Sequence, residues 1–222
     1  MQLTVIRPTW TSMHRISAAL AATLTGLFLS QAPAAAEPVT LLALGDSLTA
    51  GYGLDPAAAY PVKLEQALKA RGHDVVVINA GVSGDTAAQG AARLEWSLTD
   101  DVDGVIVELG ANDALRGLDP AQAEAALKGI LDALASRKLP VLIAGMRAPP
   151  NLGPDYAAAF EGMYARLAAQ SGALIYPFFL EGVAADPKLN QADGLHPTPE
   201  GVDAIVARIL PSVEALLALA KK

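Results

Sequence analysis

The apolar residues from Val39 onward fall into short continuous runs separated by longer segments of helical period. Runs that are apolar at consecutive positions, rather than at alternate ones, are typical of parallel strands covered on both faces. They predict strands at 39–44, 75–79, 104–109, 141–145 and 173–176. The segments between them predict helices at about 61–71, 86–98, 120–138, 155–171 and from 199 to the C-terminus. This order predicts one doubly wound α/β domain with a parallel sheet of five strands.

The ends of the predicted helices carry their own signals. Asp119 and Thr198 each precede a proline, and a capping side chain followed by proline is a common helix start. Gly172 stands where a left-handed residue would end the preceding helix. Pro211 lies inside the last helix, where the ring predicts a kink.

The first 36 residues differ from the rest of the chain. They contain no acidic residue, and basic residues precede an apolar run at 16–29. This run is shorter than the roughly 20 residues that cross a bilayer, and it leads into small residues ending at Ala36. The pattern predicts a signal peptide at 1–36, started at Met1 or Met13 and cleaved after Ala36, with an uncleaved membrane anchor as the alternative. We therefore expect a periplasmic or secreted domain at 37–222 with no stable membrane insertion after cleavage.

Composition and charge narrow the chemistry. The chain of 222 residues is 52% hydrophobic and has no cysteine. Disulfides, thiolate metal sites and cysteine nucleophiles are therefore excluded. The formal net charge of −7 disfavours a nucleic-acid partner, since such binding needs clustered Lys and Arg. We expect no cofactor and no metal.

Polar clusters follow several of the predicted strands, at 45–48, 81–85, 110–113 and 193–197. The carboxyl ends of parallel strands meet at one edge of a sheet, and ligands bind there where the strand order reverses. A serine hydroxyl in such a place needs a base within hydrogen-bond reach. His196 is the histidine that stands among these polar residues, and Asp193 precedes it by three positions. The sequence predicts a triad of Ser47, His196 and Asp193.

Attack on an ester carbonyl places negative charge on its oxygen, so the site also needs N–H donors. Glycines after strands allow a backbone N–H to approach closely, and an asparagine amide supplies another. We expect an oxyanion hole made by the backbone N–H groups of Ser47 and Gly84 and by the Asn112 side chain.

The same clusters resemble the four sequence blocks of the SGNH (GDSL) hydrolase family, in the family's order. The resemblance spans essentially all of residues 37–222 and rests on Gly45-Asp46-Ser47-Leu48, the segment around Gly84, Gly110-Ala111-Asn112-Asp113, and Asp193 with His196. It implies a flavodoxin-like, three-layer αβα fold. It also implies ester hydrolysis without a metal, through an acyl-serine, with the oxyanion hole given above.

Four residues beside these blocks receive other interpretations. Ser83 is a rival nucleophile, but Asp follows Gly84 and so leaves the Gly-x-Ser-x-Gly pattern incomplete. His73 precedes the second strand, far from the motifs, and is expected to be a solvated loop histidine. Asp46 and Asp113 are expected to bond to neighbouring backbone N–H groups and are left out of the catalytic set.

Apolar residues in the same loops predict a binding surface for an acyl or aryl group, although exposed turn residues without a role would give the same pattern. The predicted substrate contacts are Leu115, Leu118, Pro149 and Leu152, with Tyr52, Leu54 and Pro150 nearby in sequence. Arg116 and Arg147 would meet an anionic head group or a coenzyme A phosphate, or else remain solvated.

Together these features predict an exported serine esterase acting on acyl or aryl esters and thioesters that are small molecules. Arylesterase, thioesterase and lysophospholipase activities are all open. The alternatives are an O-deacetylase of carbohydrate or peptidoglycan on the same scaffold, and a binding protein without turnover.

Overall fold

A computed structural model of the chain describes residues 1–4 and 37–220. The chain divides into two units, Met1–Ala35 and Ala36–Lys222, and the description below concerns the second. The predicted signal peptide and its cleavage site lie outside the described residues.

A five-stranded parallel sheet forms the centre of this unit. Its strand order is β2-β1-β3-β4-β5. The second strand lies on one side of β1 and the three later strands lie on the other, so the strand order reverses between β1 and β3. The strands are β1 (Val39–Gly45), β2 (Val75–Gly81), β3 (Gly104–Glu108), β4 (Val141–Ala144) and β5 (Leu174–Tyr176). The predicted five-stranded parallel sheet is confirmed, and each predicted strand end lies within two residues of the observed one.

Helices cover the sheet in two groups, in which α2 packs with α8, and α6 packs with both α3 and α7. The helices are α1 (Ser47–Ala50), α2 (Tyr60–Ala70), α3 (Ala87–Ala92), α4 (Leu94–Ser97), α5 (Ala111–Leu115), α6 (Pro120–Ser136), α7 (Pro154–Ser171) and α8 (Pro199–Ala220). None of the helices in the described part of the chain has the length and apolar character needed to span a membrane.

The single helix predicted over 86–98 is wrong. Thr86 and Gln89 form a reciprocal capping box that starts α3, but the backbone leaves helical geometry at Arg93 (φ −107°, ψ 4°) before α4 begins. The Arg93 side chain donates to the Gly45 carbonyl oxygen at 2.8 Å and to the Asp85 carboxylate at 2.6 Å. The break therefore lets one arginine connect the carboxyl end of β1 with the loop after β2.

The predicted helix starts are confirmed by their hydrogen bonds. Asp119 accepts from the backbone N–H of Ala121, and the Thr198 hydroxyl accepts from that of Gly201. Helix α8 continues from Pro199 to Ala220 through Pro211 without interruption, so the predicted kink stays a prediction.

The core lies on both faces of the sheet. Leu41, Leu42 and Leu44 of β1 are fully buried, as is Ile106 of β3. Burying each such side chain contributes roughly 1.5–3 kcal/mol, which is how a chain without disulfides holds its sheet together. The polar loops begin where these apolar strands end, so the core fixes the edge at which they meet.

Candidate active site

Three side chains from two distant parts of the chain form a continuous hydrogen-bonded line at the carboxyl edge of the sheet. The Ser47 Oγ lies 2.9 Å from His196 Nε2, and His196 Nδ1 lies 2.7 Å from Asp193 Oδ2. The structure therefore brings the three predicted triad residues together. A neutral imidazole in this position donates to Asp193 and accepts from the serine hydroxyl.

Ser47 is the first residue of α1, a single turn that follows β1 directly. Asp46 starts this turn by accepting the Leu48 N–H at 3.0 Å, and Gly51 ends it in the left-handed region at φ +82°. A Cβ on Gly45 would lie 2.1 Å from Thr49 Oγ1, and one on Gly81 would lie 2.2 Å from the Ala50 nitrogen. Glycine is thus required at both positions. We call residues 45–51 the nucleophile turn.

Asp193 fixes the loop that carries the histidine. One of its oxygens accepts the backbone N–H groups of Leu195 at 2.9 Å and His196 at 3.0 Å, while the other faces the imidazole. The backbone bond from His196, followed by the bond to its ring, lowers the pKa of Asp193 to about 2. Asp193 is therefore a carboxylate at any pH where the enzyme would work.

Tyr52 and Gln191 hold the histidine from the other side. The Tyr52 ring centroid lies 4.6 Å from that of His196, and the Gln191 amide donates to the Tyr52 carbonyl oxygen at 2.8 Å. The Gln191 backbone N–H also donates to the His196 carbonyl oxygen at 2.7 Å. These contacts pack the imidazole against Tyr52 and hold the backbone of the loop that carries it.

Hydrogen bonds from Asn112 join the three segments that carry the predicted oxyanion donors. Within residues 37–220, no protein group accepts from the backbone N–H of Ser47 or Gly84. Gly84 adopts φ +88°, a conformation that favours glycine. The Asn112 amide nitrogen instead donates to Asp46 Oδ2 at 3.0 Å and to the Asp85 carbonyl oxygen at 3.1 Å. To donate to a substrate, Asn112 has to share or exchange one of these bonds.

Arg116 braces the Gly84 segment. Its guanidinium donates to the Gly84 carbonyl oxygen at 2.6 Å, which joins α5 to the loop after β2. Arg147 instead lies 3.5 Å from the Glu181 carboxylate, with its guanidinium 4.5 Å from the centre of the Phe178 ring. The two arginines that the sequence singled out are thus both engaged with protein groups.

Two buried carboxyl groups lie beneath Ser47. Burial raises the pKa of Asp46 to about 6, although the bonds from Leu48 and Asn112 oppose the rise. Burial and the nearby Asp46 carboxyl raise the pKa of Glu108 well above its ordinary value. Asp46 also accepts a backbone N–H, as the sequence predicted, but its bond to the Asn112 side chain was not predicted.

Three residues outside the predicted catalytic set, Ser83, Asp113 and His73, have defined surroundings. Ser83 is exposed and has no hydrogen bond to either histidine in the described chain. Asp113 accepts the backbone N–H of Ala87 at 2.8 Å. The prediction of a solvated His73 is wrong, because its ring is partly buried and lies 3.1 Å from the Glu214 carboxylate. His73 precedes β2 and so takes no part in the edge where Ser47 lies.

The predicted substrate residues lie on two neighbouring segments, namely the end of α5 with the loop after it, and the connection between β4 and α7. Leu115 is half exposed, whereas Leu118, Pro149 and Leu152 are partly buried. The Tyr156 hydroxyl donates to the Leu118 carbonyl oxygen at 2.7 Å and so ties the α5–α6 loop to the start of α7. Other exposed apolar side chains occur beside the motif residues themselves, namely Tyr52, Val82 and Leu195.

Sequence reasoning missed Glu108, Thr49 and Gln191. Glu108 gave a detectable signal, since it is the single acid within the apolar run of β3. An acid in a buried strand requires a specific partner. Gln191 gave no such signal, because its role depends on the fold of the loop around it.

Comparison with known proteins agrees with this geometry. Residues 43–204 match the family model described as "GDSL-like Lipase/Acylhydrolase family". The chain belongs to this family. As a GDSL hydrolase it is an enzyme that cleaves ester bonds, and its α/β fold with a parallel sheet is that of its solved relatives.

Individual relatives of this GDSL hydrolase are esterases and thioesterases by name. It is 40% identical to "Esterase TesA" of Pseudomonas aeruginosa over 80% of this chain and 89% of the relative. It is 42% identical to "Thioesterase 1/protease 1/lysophospholipase L1" of Escherichia coli (strain K12), covering 73% and 77% of the two chains. The solved structure of "AlinE4, a SGNH-hydrolase family esterase" is 50% identical with a TM-score of 0.69, covering 82% and 97%.

Proposed function

We propose that the protein is an exported serine esterase that hydrolyses carboxylic esters and thioesters through an acyl-enzyme on Ser47. The observation that carries the proposal is the line of bonds from Ser47 through His196 to Asp193, at 2.9 and 2.7 Å. Export is argued from the signal-peptide pattern of residues 1–36.

In the first half-reaction, Ser47 Oγ attacks the ester carbonyl carbon while His196 Nε2 takes its proton. The oxyanion is stabilised by the N–H groups of Ser47 and Gly84, with Asn112 as the third donor. Collapse of this intermediate expels the alkoxide or thiolate, which leaves with the proton from His196. A water molecule then gives a proton to His196 and attacks the acyl-serine, releasing the acid and restoring Ser47.

The exposed apolar side chains around the serine favour an acyl or aryl group as the substrate part that the protein binds. These side chains are Tyr52, Val82, Leu115 and Leu195. Leu118, Pro149 and Leu152 extend the apolar surface on the adjoining loops. A sugar would gain little from such a surface.

Hydrolysis of p-nitrophenyl esters from acetyl to palmitoyl, with fluorophosphonate labelling, tests the proposal. We expect wild type and Ser83→Ala to hydrolyse butyryl and longer esters and to be labelled once, whereas Ser47→Ala loses both properties. Labelling at Ser83 would overturn the assignment of Ser47. Activity confined to the acetyl ester would indicate a deacetylase, and no hydrolysis at all would indicate a binding protein.

Export is tested separately by expressing the full chain in a bacterium with a periplasm. We expect the protein in the periplasm or medium with an N-terminus at Glu37. A full-length chain in the membrane fraction would indicate the uncleaved anchor instead.

A further inference from the structure

Glu108 reaches from the end of β3 into the nucleophile turn. It stands directly opposite Gly45 in the pairing of β3 with β1. Its side chain accepts the Thr49 hydroxyl at 2.7 Å, and its Oε2 would lie 2.7 Å from a Cβ added to Gly45. One side chain from another strand therefore packs against Gly45, before Ser47, and binds Thr49, after it.

The surroundings of Glu108 disfavour a negative charge. The residue is 1% exposed, and one of its oxygens has no hydrogen-bond partner in the described part of the chain. The titratable groups that face it are Asp46, Tyr60 and Tyr164, all of them acids, and no cation of residues 37–220 is paired with it. Burying an unpaired carboxylate costs much more free energy than burying the neutral acid.

The position of Asp46 explains why a charge on Glu108 would affect the site. Asp46 is buried beside Glu108, accepts the Leu48 N–H and binds the Asn112 amide. A second negative charge here would repel Asp46 and weaken the bonds that hold the turn and Asn112. Nearby like charges inside a protein cannot both ionise without such displacement.

We propose that Glu108 is the positioning residue of the nucleophile turn, and that it holds the turn as a neutral acid, so that its ionisation displaces Ser47. It does not contact the substrate; it keeps Ser47 Oγ within reach of His196 through the residues on either side. This inference rests on the proposed role of Ser47 as the nucleophile.

The test compares Glu108→Gln and Glu108→Ala with wild type on p-nitrophenyl butyrate between pH 5 and pH 10. A glutamine keeps the acceptor for Thr49 and cannot ionise. We expect Glu108→Gln to keep kcat/KM within about threefold of the wild-type maximum, and to lose the decline that wild type shows as the pH rises and Glu108 ionises. We expect Glu108→Ala to lower kcat by about 10- to 100-fold with KM changed less than twofold, because the turn is loosened while the binding surface is intact.

The matched control is Glu65→Gln, because Glu65 also accepts a hydrogen bond from another element, that of the Val77 backbone N–H, but lies on α2 away from the turn. It should keep the wild-type pH profile. A Glu108→Gln profile with the same decline at rising pH as wild type would overturn the proposal, as would full kcat in Glu108→Ala. If Glu108→Ala fails to fold, the Glu108→Gln profile still decides. Wild type without any hydrolysis would contradict the proposed function itself, and active wild type with unaffected variants would contradict this inference alone.

Discussion

At the residue scale, two aspartates beside the serine have opposite environments and therefore opposite tasks. Asp193 is accessible and receives backbone N–H bonds, which lower its pKa to about 2. Asp46 is buried, which raises its pKa to about 6. The first is a permanent charge that orients His196. The second is a bond acceptor within the protein that directs the Asn112 amide.

Asp193→Asn should lower kcat by about 10²–10⁴-fold while KM stays near that of wild type, because an amide presents the wrong hydrogen-bond partner to the imidazole. The measurement is steady-state hydrolysis of p-nitrophenyl butyrate. Asp186→Asn is the matched control, since Asp186 also accepts a backbone N–H two residues on but lies away from the site. Equal loss in both variants would mean that the effect is on folding.

Asp46→Asn should lower kcat by about 10- to 100-fold, because its amide would face the Asn112 amide and make it rotate. Asn112→Ala and the double variant complete a cycle. If Asp46 acts through Asn112, the double variant should be no slower than Asn112→Ala. Fully additive losses would show that the two residues act independently.

These residue roles were only partly accessible from the sequence. Ser47, His196 and Asp193 lie in recognisable strand-end motifs, so their meeting could be predicted. His73 was misjudged because its partner, Glu214, is 141 positions away along the chain. Tyr52 was placed near the substrate, but its contact with His196 depends on a loop whose path the sequence does not specify.

At the element scale, residues of three strands pack closely against the nucleophile turn. Its short helix lies against Gly81 of β2. Its first residue, Gly45, ends β1 and packs against Glu108 of β3. The motif glycine is therefore explained by close approach rather than by backbone freedom. A one-turn helix cannot stabilise itself, so these contacts must hold it.

Gly45→Ala should be destabilised by about 2–4 kcal/mol and largely inactive, since the new Cβ would lie 2.1 Å from Thr49 Oγ1 and 2.7 Å from Glu108 Oε2. Gly129→Ala is the control. Gly129 lies in α6 with no atom within 4 Å of an added Cβ, so its variant should be more stable by about 0.5–1 kcal/mol. Urea unfolding measures both, and a stable, active Gly45→Ala would contradict the packing described.

Periodicity predicted the long elements well because each of them buries a continuous apolar face. It failed on short ones. Helices α1 and α5 are too short to show a helical period, and the break at Arg93 coincides with a side-chain bond to Gly45, 48 positions away. Such long-range bonds are set by the fold, so local patterns do not record them.

At the scale of the whole molecule, the buried acids Asp46 and Glu108 both make the free energy of unfolding fall as pH rises. Unfolded Asp46 ionises near its ordinary value of 3.8, while the folded protein keeps the proton up to about pH 6. Between these values the unfolded state binds fewer protons, so the free energy of unfolding falls as pH rises, by about 3 kcal/mol for Asp46. Glu108 acts in the same direction, whereas Asp193 adds stability as pH rises above about 2.

Urea unfolding of wild type should therefore show greater stability near pH 4–5 than at pH 8. Glu108→Gln, which cannot ionise, should gain stability relative to wild type as the pH rises through this range. A wild-type stability that is equal at pH 4 and pH 8 would contradict this account of the buried acids.

The absence of space around Gly45 and Gly81 also bears on how this enzyme can evolve. No larger side chain fits at either position, so the attacking hydroxyl cannot be moved by single substitutions beside it. We therefore expect altered selectivity to arise in the neighbouring loops around Leu115 and Leu152. A mutant library confined to those loops should therefore yield new ester preferences, whereas one built on the two glycines should yield inactive clones.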